Sequence, residues 1–352
     1  MKKLLTLGMM FLALTAGAQE KKKKTTIEIP QWVKDIKMSG YAMLQYQAED
    51  KEDGKHNEFN LRLLRVSLDG KISDFAWKVQ AQLNGNTSTQ GASPRVVDLW
   101  GEWQKYDFLR VKVGQFKRSF TLENPMNPIN QGFFSYAQVI SKLSGMSDRT
   151  GEHASNGRDI GIQLQGDFLK NSNGRNLLHY QIGVFNGEGI NRKDADNRKD
   201  IIGGVWVMPV KGMRIGVFGW TGSRVINDQS IEKNRYALSG EYVTPGDWTF
   251  RTEYIHNQGL GHNGTKFLSD KADGFYALCI APVIKNKLYA KARYDLYREA
   301  KEWEQSKTYY EIGVNYLFTK RLQLNVEYAR VNDRTLDKHN YNLVDVQLDF
   351  RF

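Results

Sequence analysis

The chain has 352 residues, a mean hydropathy of -0.56 and a formal net charge of +11. Beyond its amino terminus it has no apolar run of 18 residues, which excludes a conventional transmembrane helix. The basic balance is compatible with nucleic acid, an acidic surface or anionic solutes as partners, and the export signal that opens the chain argues against nucleic acid.

The amino terminus has the three parts of a secretory signal. Lys2 and Lys3 form a charged region, residues 4–15 form a short apolar region, and Ala16-Gly17-Ala18 forms a small-residue cleavage site. We therefore predict a signal peptide at residues 1–18 and a mature protein that begins at Gln19.

Residues 19–37 are predicted to be an N-terminal periplasmic segment. This segment contains the basic run Lys21–Lys24, and such a run is typically a solvated tether. The single cysteine, Cys279, has no intrachain partner for a disulfide and is predicted to be a small residue packed within a strand.

From Met38 to Phe352 the chain divides into about sixteen strand-like segments separated by turn signals. In chain order they cover residues 38–47, 58–69, 74–84, 95–104, 109–116, 158–168, 178–186, 199–209, 213–222, 235–244, 248–256, 274–283, 287–297, 310–318, 322–328 and 341–352.

The last segment, residues 341–352, shows the pattern most clearly. Val344, Val346 and Leu348 have one parity, and Asp345 and Gln347 have the other. This period of two indicates a strand with one apolar and one polar face. In a membrane barrel the apolar face contacts lipid and the polar face lines a wet interior.

The connections between the segments alternate between short and long. The short ones have about two to four residues, except for an intermediate one at residues 169–176, and the long ones have nine or more. This alternation is typical of an up-and-down antiparallel barrel with periplasmic turns and extracellular loops. We therefore predict an all-β fold, a transmembrane antiparallel β-barrel over residues 38–352.

The longest connection, Lys117 to Gly157, is too apolar for a solvated loop. It contains Phe120, Leu122, Phe133, Ile140 and Leu143, so we predict that it folds into the lumen and narrows the pore, with a short helix over residues 135–143. A barrel of about sixteen strands is too wide for wall side chains alone to fill.

Basic residues on the inward parity, and on or beside the inserted loop, are the candidates for a pore constriction and anion path, because rings or ladders of one charge sign give pores their selectivity. The candidates are Lys78, Arg110, Lys112, Lys117, Arg118, Arg149, Arg158, Arg251, Lys291, Arg293 and Arg321. The alternative is that wall cations pair with inward acids across strands, as opposed charges ordinarily do; these acids include Asp98, Glu241 and Glu311.

Three stretches carry a family resemblance. Residues 109–120 (LRVKVGQFKRSF), residues 157–165 (GRDIGIQLQ) and residues 184–189 (VFNGEG) resemble the phosphate-selective porin O and P family. The resemblance implies a trimeric sixteen-stranded outer-membrane barrel that passes phosphate or related anions through a constriction rich in Lys and Arg.

Catalytic and cofactor motifs do not emerge from the sequence. The stretch GLGHNG at residues 259–264 lacks a surrounding βαβ unit, the six histidines show no metal-ligand spacing, and no nucleophile lies in a convincing arrangement with a base. We therefore predict no enzyme activity, no metal and no cofactor.

The leading functional hypothesis is a bacterial outer-membrane porin. It forms a water-filled channel for passive diffusion of small hydrophilic solutes, with anions such as phosphate preferred, and it contacts outer-membrane lipid as a homotrimer. Two alternatives belong to other classes: a barrel enzyme that acts on lipid, and a surface binding scaffold whose loops rather than lumen do the work.

Overall fold

All sixteen predicted strands are present in the computed structural model, which describes residues 35–54, 56–84, 94–152 and 156–352. The predicted signal peptide (residues 1–18) and the Lys21–Lys24 run lie outside the described residues. The prediction of an all-β transmembrane barrel is therefore confirmed over the part of the chain that forms it.

The strands are eighteen in number within the described ranges, and sixteen of them form the barrel. They are β1 (Lys37–Glu49), β2 (His56–Ile72), β3 (Phe75–Gln82), β4 (Arg95–Tyr106), β5 (Leu109–Lys117), β6 (Arg158–Lys170), β7 (Asn176–Phe185), β8 (Asp200–Val207), β9 (Met213–Thr221), β10 (Ser223–Ile226), β11 (Gln229–Glu232), β12 (Asn234–Val243), β13 (Thr249–Gln258), β14 (Lys271–Ile284), β15 (Leu288–Arg298), β16 (Ser306–Thr319), β17 (Leu322–Asp333) and β18 (Asn340–Arg351).

Neighbouring barrel strands pair antiparallel in sequence order, with β9 next to β12, and β1 pairs with β18 to close the barrel. The closure extends to the last residue, because Gly40 and Phe352 exchange two backbone hydrogen bonds of 2.9 and 3.0 Å. A Cβ on residue 40 would lie 2.4 Å from the Phe352 ring, so glycine lets the terminal aromatic pack over β1.

The two parities of each strand have opposite environments. In β18, Val344 is 39% exposed on the outer face, whereas Asp345 is 1% exposed and Gln347 is 1% exposed on the inner face. Ile312 in the middle of β16 is 59% exposed. The apolar side chains therefore point outwards, where a bilayer covers them, and the polar ones point into the lumen.

A β-bulge in β2 interrupts this alternation. Leu44 of β1 pairs with Leu61, and the preceding Met43 pairs with Leu63, so Arg62 is the extra residue. Leu61 on one side of the bulge is 56% exposed, whereas Leu63 is buried. The bulge turns Arg62 towards the lumen, as an inserted residue re-aims its side chain.

The strands β10 and β11 form a separate hairpin that we did not predict. They lie in the long connection between β9 and β12. Ile231 on this hairpin is buried, and Arg224 donates to the Thr150 carbonyl group at 2.9 Å and pairs with Glu188 at 3.7 Å. The hairpin therefore packs against other loops.

One α-helix is described, α1 (Gln138–Leu143), within the inserted segment. It lies within the predicted helix of residues 135–143 but begins three residues later, and its apolar residues Val139, Ile140 and Leu143 are buried. In the ranges that the structure describes, no helix has the length and apolar composition needed to cross a bilayer.

The exposed position of Ile312 gives the first test of the fold. We expect Ile312→Lys to destabilise the folded barrel by about 2–4 kcal/mol, because a charged side chain near the middle of the apolar band must leave water. Equilibrium unfolding in guanidinium, measured in phospholipid vesicles, gives the difference from the matched control Ile312→Leu. Equal stability of the two variants would mean that this face does not meet hydrocarbon.

Candidate pore constriction

The described part of the inserted segment, residues 117–152 with 156 and 157, occupies one side of the lumen. Phe120, Ile140 and Leu143 are fully buried and belong to a hydrophobic cluster that also contains the inward-facing Phe218 and Ile255. The apolar side chains of the segment and of the barrel wall are therefore buried against one another and are not exposed to the water of the bore. The prediction that this loop folds inwards is confirmed, and at this height the side of the lumen formed by β7–β15 is packed rather than open.

Carboxylates of the barrel wall hold the segment by accepting its backbone N–H groups. Glu253 accepts from Leu122 at 2.7 Å and from Glu123 at 2.8 Å. Glu327 accepts from Phe134 at 2.8 Å, and Asp295 accepts from Gln138, the first residue of α1, at 2.8 Å. Hydrogen bonds to charged acceptors are about twice as strong as neutral ones, so these contacts fix the path of the segment.

Cations of the wall hold it by donating to its carbonyl groups. The bonds are from Arg251 to Gln131 (3.3 Å), from Lys291 to Gly132 (2.8 Å) and from Arg293 to Ser135 (2.9 Å). Each cation also pairs with a wall carboxylate: Arg251 with Glu241 at 2.7 Å, Lys291 with Glu327, and Arg293 with Glu311 at 2.5 Å. These three candidate residues therefore anchor the constriction.

Arg118 lies at the centre of a buried ionic network. Its guanidinium is fully buried and pairs with Glu152 at 2.6 Å and with Asp159 at 2.8 Å. The Trp220 ring faces it at 4.8 Å. Glu152 is near the end of the inserted segment and Asp159 is in β6, so the network joins both ends of the segment to the wall.

Two carboxyl groups of the segment near this network have opposite pKa shifts. Burial raises the pKa of Glu152 above its ordinary value, and the charge of Arg118 offsets only part of that effect. Burial acts on Asp148 in the same direction, but the charge and hydrogen bonds of Arg235, 2.7 Å away, hold its pKa below the ordinary range. The ionised form of Glu152 thus depends on Arg118.

Arg149 is a second buried arginine that holds the inserted segment in place. It pairs with Glu299 at 2.5 Å and donates to the carbonyl groups of Gly259 at 2.6 Å and Ser269 at 2.8 Å. The guanidinium thereby connects the segment to two extracellular connections. Like Arg118, it is placed to hold loops together.

Open space remains on the other side of the segment. A cavity of about 310 Å³ lies between the segment and β1–β2, with Gln45, Asn60, Arg62 and Tyr136 in its lining. A wider vestibule of about 680 Å³ lies towards the extracellular ends of the strands. The constriction is therefore formed by the inserted segment on one side and β1–β2 on the other.

A third cavity, of about 250 Å³, brings together four of the candidate residues, and we call it the basic chamber. Its lining contains Lys78, Lys112, Lys117 and Arg158, and one carboxylate, Asp98. Asp98 pairs with Arg158 at 2.6 Å. The cationic side chains of the chamber therefore outnumber its carboxylate.

The ammonium groups of the chamber differ in their partners. Lys117 donates only to neutral oxygens, the carbonyl groups of Asn124 (2.7 Å) and Met126 (2.6 Å) and the hydroxyl group of Tyr136 (2.8 Å). Lys112 makes an ion pair at 3.4 Å with Glu102, a carboxylate outside the lining of the chamber. Lys78 lines the chamber and makes no ion pair with the residues that the structure describes. Its ammonium is thus available to a solute.

The two remaining candidates lie elsewhere. Arg110 pairs with Asp167 at 2.6 Å, and Arg321 is exposed in the turn between β16 and β17. Cross-strand pairing, the alternative fate of wall cations, holds for Arg251 with Glu241 and for Arg293 with Glu311, which face each other in the sheet register.

Sequence reasoning missed two arginines of β2. Arg62 lines the constriction and donates to Gln347 at 2.7 Å. Arg65 is fully buried and donates to the Tyr41 hydroxyl at 3.0 Å and to the side-chain amide oxygen of Gln82 at 3.1 Å, both neutral groups. Because the bulge interrupts the alternation of β2, counting parity along the strand does not show that Arg62 faces the lumen. The interrupted alternation is the only sequence signal of the bulge.

Metal and thiol chemistry have no evident site. Over the described ranges, no group of three or more His, Cys, Asp or Glu residues is arranged to hold a metal ion. Cys279 is half-buried on the outer side of β14, which agrees with its prediction as a small residue packed within a strand.

A closed antiparallel barrel with polar inner parity and an inserted segment defines an outer-membrane channel. A family model described as Gram-negative porin matches residues 5–336, and the chain belongs to this family. The protein therefore lies in the bacterial outer membrane and forms a channel for small solutes. The match indicates a channel rather than an enzyme. A comparison with curated proteins found no match.

Solved porin structures share the fold at low sequence identity. The anion-selective porin from Comamonas acidovorans has a TM-score of 0.68 at 12% identity, with 90% of this chain and 99% of that chain covered. Salmonella typhi OmpF has 0.66 at 12% identity, covering 90% and 97%. The trimer form of Vibrio cholerae OmpT has 0.59 at 14% identity, covering 90% and 99%. The narrower resemblance to phosphate-selective porins stays a prediction.

The Arg118 network gives a test of how the segment is held. We expect Arg118→Met to destabilise the segment by about 3–5 kcal/mol, because it leaves Asp159 buried without its partner. The released segment should raise the single-channel conductance and increase cleavage by a protease added to the extracellular side.

The matched control is Lys142→Met, because Lys142 belongs to the same segment but is exposed. It should leave both readouts unchanged. Arg118→Met with the conductance and cleavage rate of the native chain would show that the network does not hold the segment.

Proposed function

We propose that this porin prefers anions, phosphate among them, and that it works as a homotrimer. Solutes diffuse through the vestibule, past Arg62 at the constriction, and along the basic chamber on the wall formed by β3–β7. The observation that carries the proposal is the excess of cations in that chamber, where Lys78, Lys112, Lys117 and Arg158 face the single carboxylate Asp98.

Position in the bore decides which cations act on solutes. Arg118, Arg251, Lys291 and Arg293 are buried against carboxylates of the wall and the segment, so their fields are largely neutralised at short range. Lys78 and Lys112 lie in the part of the bore that the segment leaves open. Cations in a cleft with low-dielectric walls attract anions and raise their local concentration.

Buried arginine strengthens the positive field behind the chamber. Arg65 has neutral hydrogen-bond partners, the Tyr41 hydroxyl and the side-chain amide of Gln82. A buried guanidinium that is hydrogen-bonded to neutral groups keeps its positive charge, and that charge favours an anion in the neighbouring space. This positive wall is the feature that supports anion preference over a neutral sieve.

Phosphate fits the donors of the chamber by charge and geometry. Lys78 and Lys112 present ammonium groups to the chamber, and ammonium groups bind phosphate oxygens. Gln163, Gln165 and Gln181 in the same lining add amide donors. A doubly charged oxyanion therefore gains more here than chloride does.

Homotrimeric assembly is supported by the fold. The structure of Vibrio cholerae OmpT that shares this fold is described as a trimer form. Light scattering of the detergent-purified chain, corrected for bound detergent, should give three times the mass of the chain. A single-chain mass in mild detergent would contradict the trimer.

Charge removal in the chamber tests the anion preference. The double variant Lys78→Gln and Lys112→Gln should move the reversal potential in a potassium chloride gradient towards that of an unselective pore, because the rows of charge that bias the solute are weakened. The matched control is Lys193→Gln with Lys266→Gln, which removes two exposed lysines from extracellular connections.

Equal reversal potentials for the native chain and the chamber variant would remove the chamber from the mechanism. A native reversal potential that favours cations would contradict anion preference itself. A folded barrel with no conductance in planar bilayers would instead support the surface-scaffold alternative.

Phosphate preference has a separate test. Phosphate added to the chloride solution should reduce the chloride current of the native channel more than the same concentration of acetate does, because a binding site slows the passage of the ion it holds. The chamber variant should lose this difference. An equal effect of phosphate and acetate on the native channel would leave a general anion pore and reject the phosphate assignment.

A further inference from the structure

The short turns of the barrel carry a charge asymmetry that the pore function does not use. The turn side, which we call the rim, consists of residues 36–37, 71–75, 105–108, 170–175, 208–212, 244–248, 284–287 and 319–321. It contains ten Lys or Arg residues and three Asp residues. Six of its seven turns contain or adjoin at least one basic residue.

The opposite side of the barrel has the reverse balance. The described long connections other than the inserted segment are residues 49–54, 187–199, 222–233, 259–270, 299–305 and 334–339. They contain eleven Lys or Arg residues and fourteen Asp or Glu residues. The excess of basic residues is therefore found at the end of the barrel that carries the rim and not at the opposite end.

The rim cations face outwards into solvent. Lys71, Lys105, Lys211 and Lys320 are all exposed. Two of the three rim aspartates are paired, Asp107 with Lys170 at 2.8 Å and Asp247 with Lys285 at 3.9 Å. The remaining basic residues outnumber the remaining carboxylates severalfold, so the rim is a positively charged ring.

Apolar side chains border the same turns and set the depth of the rim. Ile72 is 71% exposed, Phe75 is 56%, Phe108 is 49%, Val283 is 61% and Phe318 is 55%. Each adjoins or lies within a few residues of a rim lysine. Exposed aromatic and aliphatic side chains beside lysine mark the boundary between hydrocarbon and headgroups, where lysine extends its ammonium towards the phosphate layer.

We propose that the rim is a binding surface for anionic phospholipid headgroups of the membrane leaflet that faces the short turns. The lysine ammonium groups pair with headgroup phosphates while the bordering apolar side chains insert among the acyl chains. The occupant is a lipid and not a polymer, because the charges lie directly beside apolar side chains that need hydrocarbon. The proposal depends on the membrane location of the barrel and is independent of its ion preference.

Lipid selectivity at the barrel perimeter tests the proposal. The full chain is reconstituted in phosphatidylcholine vesicles that contain spin-labelled phosphatidylglycerol or spin-labelled phosphatidylcholine, and the immobilised fraction of each probe is measured. We expect phosphatidylglycerol to be favoured about two- to threefold at low salt, with the preference reduced at high salt, as for basic residues at an anionic surface.

Two matched variants locate the effect. The rim variant replaces Lys71, Lys105, Lys211 and Lys320 with Gln. The control variant replaces four lysines that are exposed on the extracellular side with Gln: Lys193, Lys266, Lys271 and Lys301. The rim variant should lose the preference for phosphatidylglycerol and the control should keep it. Comparable thermal unfolding of both variants shows that each has folded.

Three results would overturn the proposal. The first is a native chain without preference for phosphatidylglycerol, and the second is an equal loss in the rim and control variants. The third is a rim variant that keeps the lipid preference but loses retention on isolated peptidoglycan, which would assign the rim to the cell wall.

Discussion

The barrel depends on one constraint: every backbone N–H and C=O group at membrane depth needs a hydrogen-bond partner within the protein. The pairing of β1 with β18, continued by Gly40 and Phe352, removes the last open edge. Closure sends the apolar parity outwards and the polar parity inwards. A sixteen-stranded ring then encloses more space than its own side chains fill, so its function depends on what occupies the lumen.

The inserted segment fills the lumen on one side of the ring only. Its apolar side chains meet inward-facing residues such as Trp220, Ala237 and Ile255, and its backbone bonds to wall carboxylates and cations. One side of the lumen is thereby packed like the core of a soluble protein, and the other side stays open. Cations on the packed side hold structure, whereas cations on the open side are exposed to passing solutes.

The sequence predicted the strands because parity and turn composition are local properties. All sixteen barrel strands, the inserted segment and its short helix follow from residues close together in the chain. The roles of individual cations do not, because they depend on long-range partners: Arg118 meets Glu152, and Arg293 meets Ser135. Arg62 was not predicted to face the lumen because the bulge in β2 reverses the parity of the strand. The β10–β11 hairpin was not predicted because polar loop residues carry weak strand signals.

The central claim is that the segment closes the β7–β15 side and leaves the passage beside β1–β2. Single cysteines at Gln47 and Ala237, introduced in a Cys279→Ser chain, test it through block of the current by a charged, water-soluble thiol reagent. The account predicts block at position 47, beside the open cavity, and no reaction at position 237, which is 1% exposed in the packed cluster. Block at position 237 with none at position 47 would contradict it.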